Sequence, residues 1–124
     1  MGFQEEFSGQ LPAIDRYGDG AFHVNEREFE GPILIWKDGV YPWAVGTMDD
    51  VTTDNLSPLL EHGDALDIIL FGTGDVSHML PRAIREALAA QNIAYDVMNT
   101  GAAARTFNML LVDGRRVAAA LLAV

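Results

Sequence analysis

The sequence predicts an α/β fold: a single three-layer domain with a central mixed sheet and an N-terminal antiparallel hairpin region. From residue 65 onward, the hydrophobic pattern gives the order strand, helix, strand, helix, strand. Such crossovers are nearly always right-handed and join parallel strands. Before residue 46, short segments around an Asp-Gly dipeptide indicate antiparallel hairpins instead. The length of 124 residues, 49% of them hydrophobic, suits one self-sufficient core.

The first residues of the chain show no periodic spacing of apolar side chains. Residues 1–19 contain proline, glycine and aspartate but no regular apolar spacing, so we expect a loose lead-in. The domain is then expected to occupy residues 20–124. Its first strand is predicted at residues 21–25 (AFHVN), where apolar and polar residues alternate.

A hairpin is predicted next. Residues 28–36 (EFEGPILIW) are expected to form one strand, with a bulge or an edge at the Gly-Pro dipeptide 31–32. The Asp-Gly dipeptide 38–39 is a strong two-residue turn signal. Trp36 and Trp43 flank this turn, and we expect them to pack in the core; the alternative is an exposed binding surface on the hairpin.

The middle of the chain carries a strand between two helices. Residues 52–63 are predicted to form a short helix that ends at Gly63. Residues 65–71 (ALDIILF) are continuously apolar apart from one aspartate, which is typical of a strand covered on both faces. The next helix should begin at Pro81, which suits a first helical turn, and should end at Asn92.

Two strands and the strongest helix complete the chain. Residues 93–98 (IAYDVM) predict a strand, and residues 115–124 (RRVAAALLAV) predict a last buried one. Between them, residues 100–112 (TGAAARTFNMLLV) repeat apolar side chains at helical spacing. Thr100 is the expected N-cap, and the dipeptide 113–114 should stop the helix.

Charge is distributed unevenly along the chain. Residues 1–64 hold 13 acidic and 3 basic residues, whereas residues 65–124 hold 5 of each, and the net charge is −10. This balance repels a phosphate backbone, so we expect no nucleic-acid partner. The acidic half is interpreted as a solvated face; the alternative is a docking surface for a basic partner.

Composition also bears on location and on cofactors. No apolar run reaches the roughly 18 residues of a membrane span, and the acidic start lacks the pattern of an export signal. The chain contains no cysteine, which excludes thiolate chemistry and suits a reducing compartment. We therefore expect a cytoplasmic protein that does not span a membrane. The three histidines are scattered, so neither a metal site nor a cofactor is expected.

The sequence FGTG (71–74) raises the question of a nucleotide-binding loop. Glycines follow a predicted buried strand, as such a loop requires, but Ser77 stands where the third glycine of a dinucleotide fingerprint belongs. No lysine follows at the position that a phosphate-binding P-loop needs. The stretch is therefore interpreted as a tight turn at the end of a strand.

A site formed jointly by two loops is a stronger candidate than FGTG alone. In parallel strands, FGTG and the loop before the helix at 100–112 should emerge at the same carboxyl edge, where ligands bind in open α/β sheets. Free N–H groups at a helix start favour an anion. The alternative is a structural network in which Arg105 pairs with an acid and Asn108 caps local backbone. The candidate ligand-binding residues are Thr73, Gly74, Thr100, Gly101, Arg105 and Asn108. Catalytic residues are not assigned.

Three blocks of the sequence resemble one family. GPILIWKDGVYPW, then ILFGTG, then NTGAAARTFNMLLVDGRRVAAALL are similar to the Mth938-like domain family over about residues 20–124. The resemblance implies a three-layer α/β domain with a mixed sheet, and it implies no established chemistry. A human mitochondrial relative is an assembly factor for respiratory complex I.

The resemblance therefore implies a non-catalytic interaction or assembly module with a protein partner not yet identified. The alternative function is a small-molecule or anion-binding protein, or an enzyme, with its site at the carboxyl edge of the sheet.

Overall fold

A computed structural model describes residues 10–124 of the chain. The described part contains two sheets, two short 3-10 helices and three α-helices. The strands are β1 (Ile14–Gly18), β2 (Ala21–Val24), β3 (Arg27–Glu30), β4 (Ile33–Trp36), β5 (Gly39–Pro42), β6 (Ile68–Gly72), β7 (Tyr95–Met98) and β8 (Val117–Leu121). The helices are α1 (Ser57–Leu60), α2 (Arg82–Ala90) and α3 (Thr100–Val112).

The larger sheet is mixed, as predicted. Its strand order is β5-β4-β8-β6-β7, so β8 is central. The pairs β8–β6 and β6–β7 are parallel, whereas β4 pairs antiparallel with both β8 and β5. The smaller sheet, of order β1-β2-β3, is antiparallel throughout. The predicted fold class is confirmed.

The smaller sheet corrects the predicted lead-in. Residues Ile14–Gly18 form β1, so the loose segment predicted up to residue 19 is wrong for this stretch, and residues 1–9 lie outside the described range. The turn from β1 to β2 has positive φ at Asp19 (54°) and Gly20 (78°). Two successive positive φ values match the twist of a tight hairpin. Asp19-Gly20 was therefore a hairpin signal of the same kind as the one recognised at residues 38–39.

The predicted strand at 28–36 is two strands in two sheets. Gly31 has a φ of +80°, a conformation that favours glycine, and Pro32 follows it directly. The chain turns there from β3 into β4. The β4–β5 hairpin is confirmed, although its two loop residues are Lys37 and Asp38, because Gly39 already pairs with Trp36.

The core lies on both faces of the larger sheet. One face packs against α1 and α2, and the other packs against α3 and the smaller sheet. The central strand β8 is buried at every position, and three of its five residues are alanine. Phe107 of α3 is completely buried on this side, and burying such a side chain contributes roughly 1.5–3 kcal/mol.

Helix boundaries follow the prediction with some exceptions. The helix α3 matches residues 100–112, and α2 begins after Pro81 and is followed by Asn92 in the left-handed region (φ 55°). The helix α1 is shorter than predicted, and β6 starts at Ile68 because residues 63–65 form a 3-10 turn. Within residues 10–124, no helix has the length and apolar character needed to cross a membrane.

Candidate functional site

The ends of β6, β7 and β8 meet at the carboxyl edge of the sheet, where the candidate site was predicted. Thr73 follows β6 and is buried, with 4% of its surface exposed. Its hydroxyl oxygen lies 2.7 Å from the Val76 carbonyl and accepts a hydrogen bond of 3.0 Å from the His78 N–H. The threonine therefore organises the loop that leads from β6 toward α2.

Thr100 connects this loop to β8. Its hydroxyl accepts a hydrogen bond of 2.9 Å from the Gly74 N–H and donates one of 2.8 Å to the Leu122 carbonyl. Gly74 has a φ of +100°, which a residue with a side chain rarely adopts. Gly74 and Thr100 are thus joined directly, whereas Thr73, the residue before Gly74, bonds to the backbone around its own loop.

The predicted N-cap of α3 is wrong by one residue. Asn99 holds the extended conformation of an N-cap, and its side-chain oxygen accepts a hydrogen bond of 2.8 Å from the Ala102 N–H. Thr100 is already the first helical residue. Its hydroxyl turns toward β8 because the Leu122 carbonyl and the Gly74 N–H both lie within reach there.

Gly101 and Arg105 meet at a residue that the sequence did not single out. The Arg105 Nη1 donates a hydrogen bond of 2.7 Å to the hydroxyl of Tyr17, and both side chains are exposed. A Cβ added at Gly101 would lie 2.7 Å from that same hydroxyl and 3.3 Å from Arg105 Nη1. Glycine is therefore needed for the tyrosine to reach the arginine over the first turn of α3.

Asn108 lies farther along α3 and binds β1. Its Oδ1 accepts a hydrogen bond of 2.9 Å from the Ile14 N–H, and its Nδ2 donates one of 3.0 Å to the Ile14 carbonyl. One side chain thus satisfies both backbone groups of a residue 94 positions away in sequence. The amide fixes the smaller sheet against the helix.

The six candidate residues therefore fall into three groups. Gly74 and Thr100 bond to each other beside Thr73, which bonds to backbone. Gly101 and Arg105 lie at Tyr17, and Asn108 lies at Ile14. Within the described part of the chain, the Arg105 guanidinium contacts a hydroxyl rather than a carboxylate. Nothing local in the sequence marks these long-range partners, although recognising the Asp19-Gly20 turn would have placed Tyr17 on a strand.

The far end of α3 presents exposed apolar side chains. Met109 and Val112 are 59% and 79% exposed and lie three residues apart, on one side of the helix. Leu11, which is 53% exposed, lines the same hollow as Val112. We call these three residues the α3 apolar face.

The hollow itself has a volume of about 250 Å³. It lies near the start of β8, beside the end of α3 and the end of β4. Its walls are mostly apolar, and three basic side chains, Lys37, Arg115 and Arg116, also line it. We call it the β8 hollow.

An ion pair lies next to the β8 hollow. Arg116 donates a hydrogen bond of 2.8 Å to the Asp67 carboxylate, and Arg115 lies 3.8 Å from it. The Arg116 side-chain hydrogen bond, followed by that from its backbone N–H, lowers the pKa of Asp67 below its ordinary value, and the same pairing raises the pKa of Arg116. The pair joins the start of β8 to the residue before β6.

The predicted tryptophan packing is confirmed, since Trp36 and Trp43 are 5% and 2% exposed. His62 stacks on Trp36 with a centroid distance of 4.0 Å. Within residues 10–124, no three His, Cys, Asp or Glu side chains come together as a group that could hold a metal ion.

Several proteins are similar to this chain in sequence. An uncharacterised protein from Rhodobacter capsulatus is 38% identical over 94% of this chain and 87% of its own length. The human protein named NADH dehydrogenase [ubiquinone] 1 alpha subcomplex assembly factor 3 is 32% identical over 93% of this chain. The chain spans 62% of the length of that human protein.

Solved structures share the fold. A protein from Bartonella henselae, described as an outer membrane protein, superposes with a TM-score of 0.86 at 38% identity, over 92% of this chain and 96% of its own. A Mth938-like domain from Bordetella pertussis gives a TM-score of 0.76 at 28% identity, over 99% and 92%. The resemblance to Mth938-like proteins is therefore confirmed. Residues 14–122 match the model of a protein family of unknown function, DUF498/DUF598, and the chain belongs to that family.

Proposed function

We propose that the chain is a protein-interaction module that helps a multi-subunit complex to assemble, and that it acts by binding rather than by catalysis. The proposal is supported by the assembly-factor name of the similar human protein and of similar proteins from other animals. By analogy with that name, the expected complex is a respiratory NADH dehydrogenase.

The observation that carries the proposal is the α3 apolar face. Isolated exposed apolar residues are ordinary on protein surfaces, whereas neighbouring ones beside a concave apolar surface are typical of interaction sites. Val112 and Leu11 line the β8 hollow, and Met109 lies three residues before Val112 on the same side of α3. Methionine suits such a role because its flexible, polarisable side chain adapts to a partner.

The test is purification of the tagged protein from its native cells at native abundance after chemical crosslinking. Mass spectrometry should then recover subunits of a multi-subunit NADH dehydrogenase with the chain. Recovery of the chain alone, or of soluble enzymes unrelated to such a complex, would contradict the assembly role.

A second candidate function is binding of a small anion at the start of α3. It is supported by Arg105, whose exposed guanidinium contacts a neutral hydroxyl and lies next to Gly101 in the first turn of the helix. Thr73, Gly74 and Asn108 would then act by shaping the edge rather than by touching the ligand. The cytoplasmic location and the absence of a nucleic-acid partner stay predictions.

A further inference from the structure

The β8 hollow has the size and the walls of a site for a small ligand. Its volume of about 250 Å³ lies just below the roughly 300–1,000 Å³ of pockets that enclose drug-sized molecules. A smaller molecule with an apolar body would therefore fill it. The apolar walls are formed by Leu11, Trp36, Leu66, Leu111, Val112 and Val117.

One wall residue carries an unsatisfied donor. Trp36 is 5% exposed, and its indole N–H has no hydrogen-bond acceptor within the described part of the chain. The other tryptophan shows the usual arrangement, since Trp43 Nε1 donates a hydrogen bond of 3.2 Å to Asn55 Oδ1. Buried polar groups are nearly always paired in native proteins, so the Trp36 N–H is an exception, and its indole resonance reports on the hollow that this tryptophan lines.

The rim of the hollow favours an anion. Lys37, Arg115 and Arg116 are among the lining residues, and of residues 10–124 no acidic one is. Asp67 faces both arginines, at 3.8 and 2.8 Å, but one carboxylate cannot neutralise two guanidinium groups. Positive charge therefore remains for a second carboxylate, and guanidinium groups bind carboxylates with geometric specificity.

Three further acidic residues lie close to the rim in sequence. Asp38, Asp64 and Asp113 are neighbours in sequence of lining residues, and all three are exposed. Water and salt screen exposed charges at a distance. A carboxylate bound at the rim would instead contact the basic groups directly.

We infer that the β8 hollow binds a small amphipathic carboxylate, whose apolar body lies between α3 and Trp36 and whose charged group lies at the basic rim. The two requirements are separate: the walls select an apolar body, and the rim selects a negative charge. The inference does not depend on the docking role of the α3 apolar face.

The test is NMR titration of the full chain with octanoate, followed through its two indole N–H resonances. Octanoate should shift the Trp36 resonance saturably, while the resonance of Trp43, whose donor is already bonded, serves as the internal control. Acetate lacks the apolar body and 1-octanol lacks the charge. Each should bind at least about tenfold more weakly than octanoate.

Two matched variants locate the site. Val112→Glu replaces part of the apolar wall by a carboxylate in contact with the ligand and should weaken octanoate binding by about tenfold or more, because like charges in direct contact repel. Met109→Glu makes the same change at an exposed position of the same helix that does not line the hollow, and should change the affinity by less than about twofold.

Lys37→Met supplies an independent variant that removes one positive charge and keeps the apolar stem. It should weaken the binding of octanoate and leave that of 1-octanol unchanged. The inference is overturned if octanoate does not shift the Trp36 resonance saturably, if 1-octanol binds as tightly as octanoate, or if the two glutamate variants lose affinity equally.

Discussion

The hydroxyl of Thr100 lies 2.8 Å from the Leu122 carbonyl and joins the start of α3 to the end of β8. The same hydroxyl receives the Gly74 N–H at 2.9 Å, so that one completely buried oxygen connects three segments of the carboxyl edge. The edge that the sequence marked as a ligand site is therefore held together by its own polar groups.

Thr100→Val tests how much this hydroxyl contributes to the stability of the fold. The substitution keeps the shape of the side chain but leaves the Gly74 N–H and the Leu122 carbonyl without this partner, so the free energy of unfolding should fall by roughly 1–3 kcal/mol. Urea unfolding measures the change. The matched control is Thr53→Val at an exposed position, which should stay within about 0.5 kcal/mol of the wild type. A stable Thr100→Val protein would show that the network contributes little.

Asn108→Leu should loosen β1 from α3. Leucine is similar in size, but it removes both hydrogen bonds to Ile14, and the free energy of unfolding should fall by roughly 1–3 kcal/mol. Hydrogen exchange at the Ile14 amide should accelerate more than exchange within β8. Unchanged protection of that amide would mean that β1 is held by its pairing with β2 alone.

The Asp67–Arg116 pair predicts that the stability of the folded chain decreases as the pH falls into the acidic range. Because the pKa of Asp67 is lowered in the folded chain, the folded state binds this proton more weakly than the unfolded state does. The stability contributed by the pair is therefore present above the ordinary pKa of 3.8 and is lost as the pH falls through the lowered value. The melting temperatures of wild type and Asp67→Asn should differ at neutral pH and converge in acid. A difference that is constant with pH would exclude the ionised pair as its source.

Arg105→Ala tests the second candidate function. Calorimetric titration with phosphate and small carboxylates should show weaker binding by roughly 1.5–3 kcal/mol, the contribution of a hydrogen bond to a charged group. The melting temperature should change little, because the side chain is exposed. Tyr17→Phe is the matched control, since it removes the hydroxyl partner and keeps the cation. Equal anion affinity in wild type and Arg105→Ala would remove Arg105 from any such site.

The sequence predicted the elements whose signals are local. The helix at 100–112 has its apolar spacing and its stop within its own residues, and the parallel strands followed from the order of elements around it. The sequence indicates a break in the strand at residues 31–32. It does not indicate that the chain passes from one sheet to the other there, because a Gly-Pro dipeptide can mark a bulge within one sheet or a connection between two. The strand β1 lacks periodicity. It is fixed by its hairpin pairing with β2 and by Asn108, which is 94 residues away in sequence from Ile14.

The sequence predicted where part of the candidate set lies but not how its side chains are arranged, and the ligand-binding role of these residues stays a prediction. The order of strands correctly brought Thr73, Gly74 and Thr100 to one edge. The direction of each side chain depends on partners such as Leu122 and Tyr17, which lie 22 and 88 residues away in sequence. Likewise, the β8 hollow collects residues from four separate parts of the chain, and no short motif could mark it.

The most direct test of the assembly role compares partner recovery by three versions of the chain after crosslinking in native cells. Met109→Glu places a charge on the α3 apolar face, and Ala89→Glu places the same charge at an exposed position of α2, in the opposite layer. Burying an unpaired charge in an interface is costly, so Met109→Glu should recover about tenfold less partner than the wild type, while Ala89→Glu should recover as much. Equal recovery by Met109→Glu and the wild type would contradict docking through this face, and no crosslinked partner with any of the three would contradict the assembly role itself.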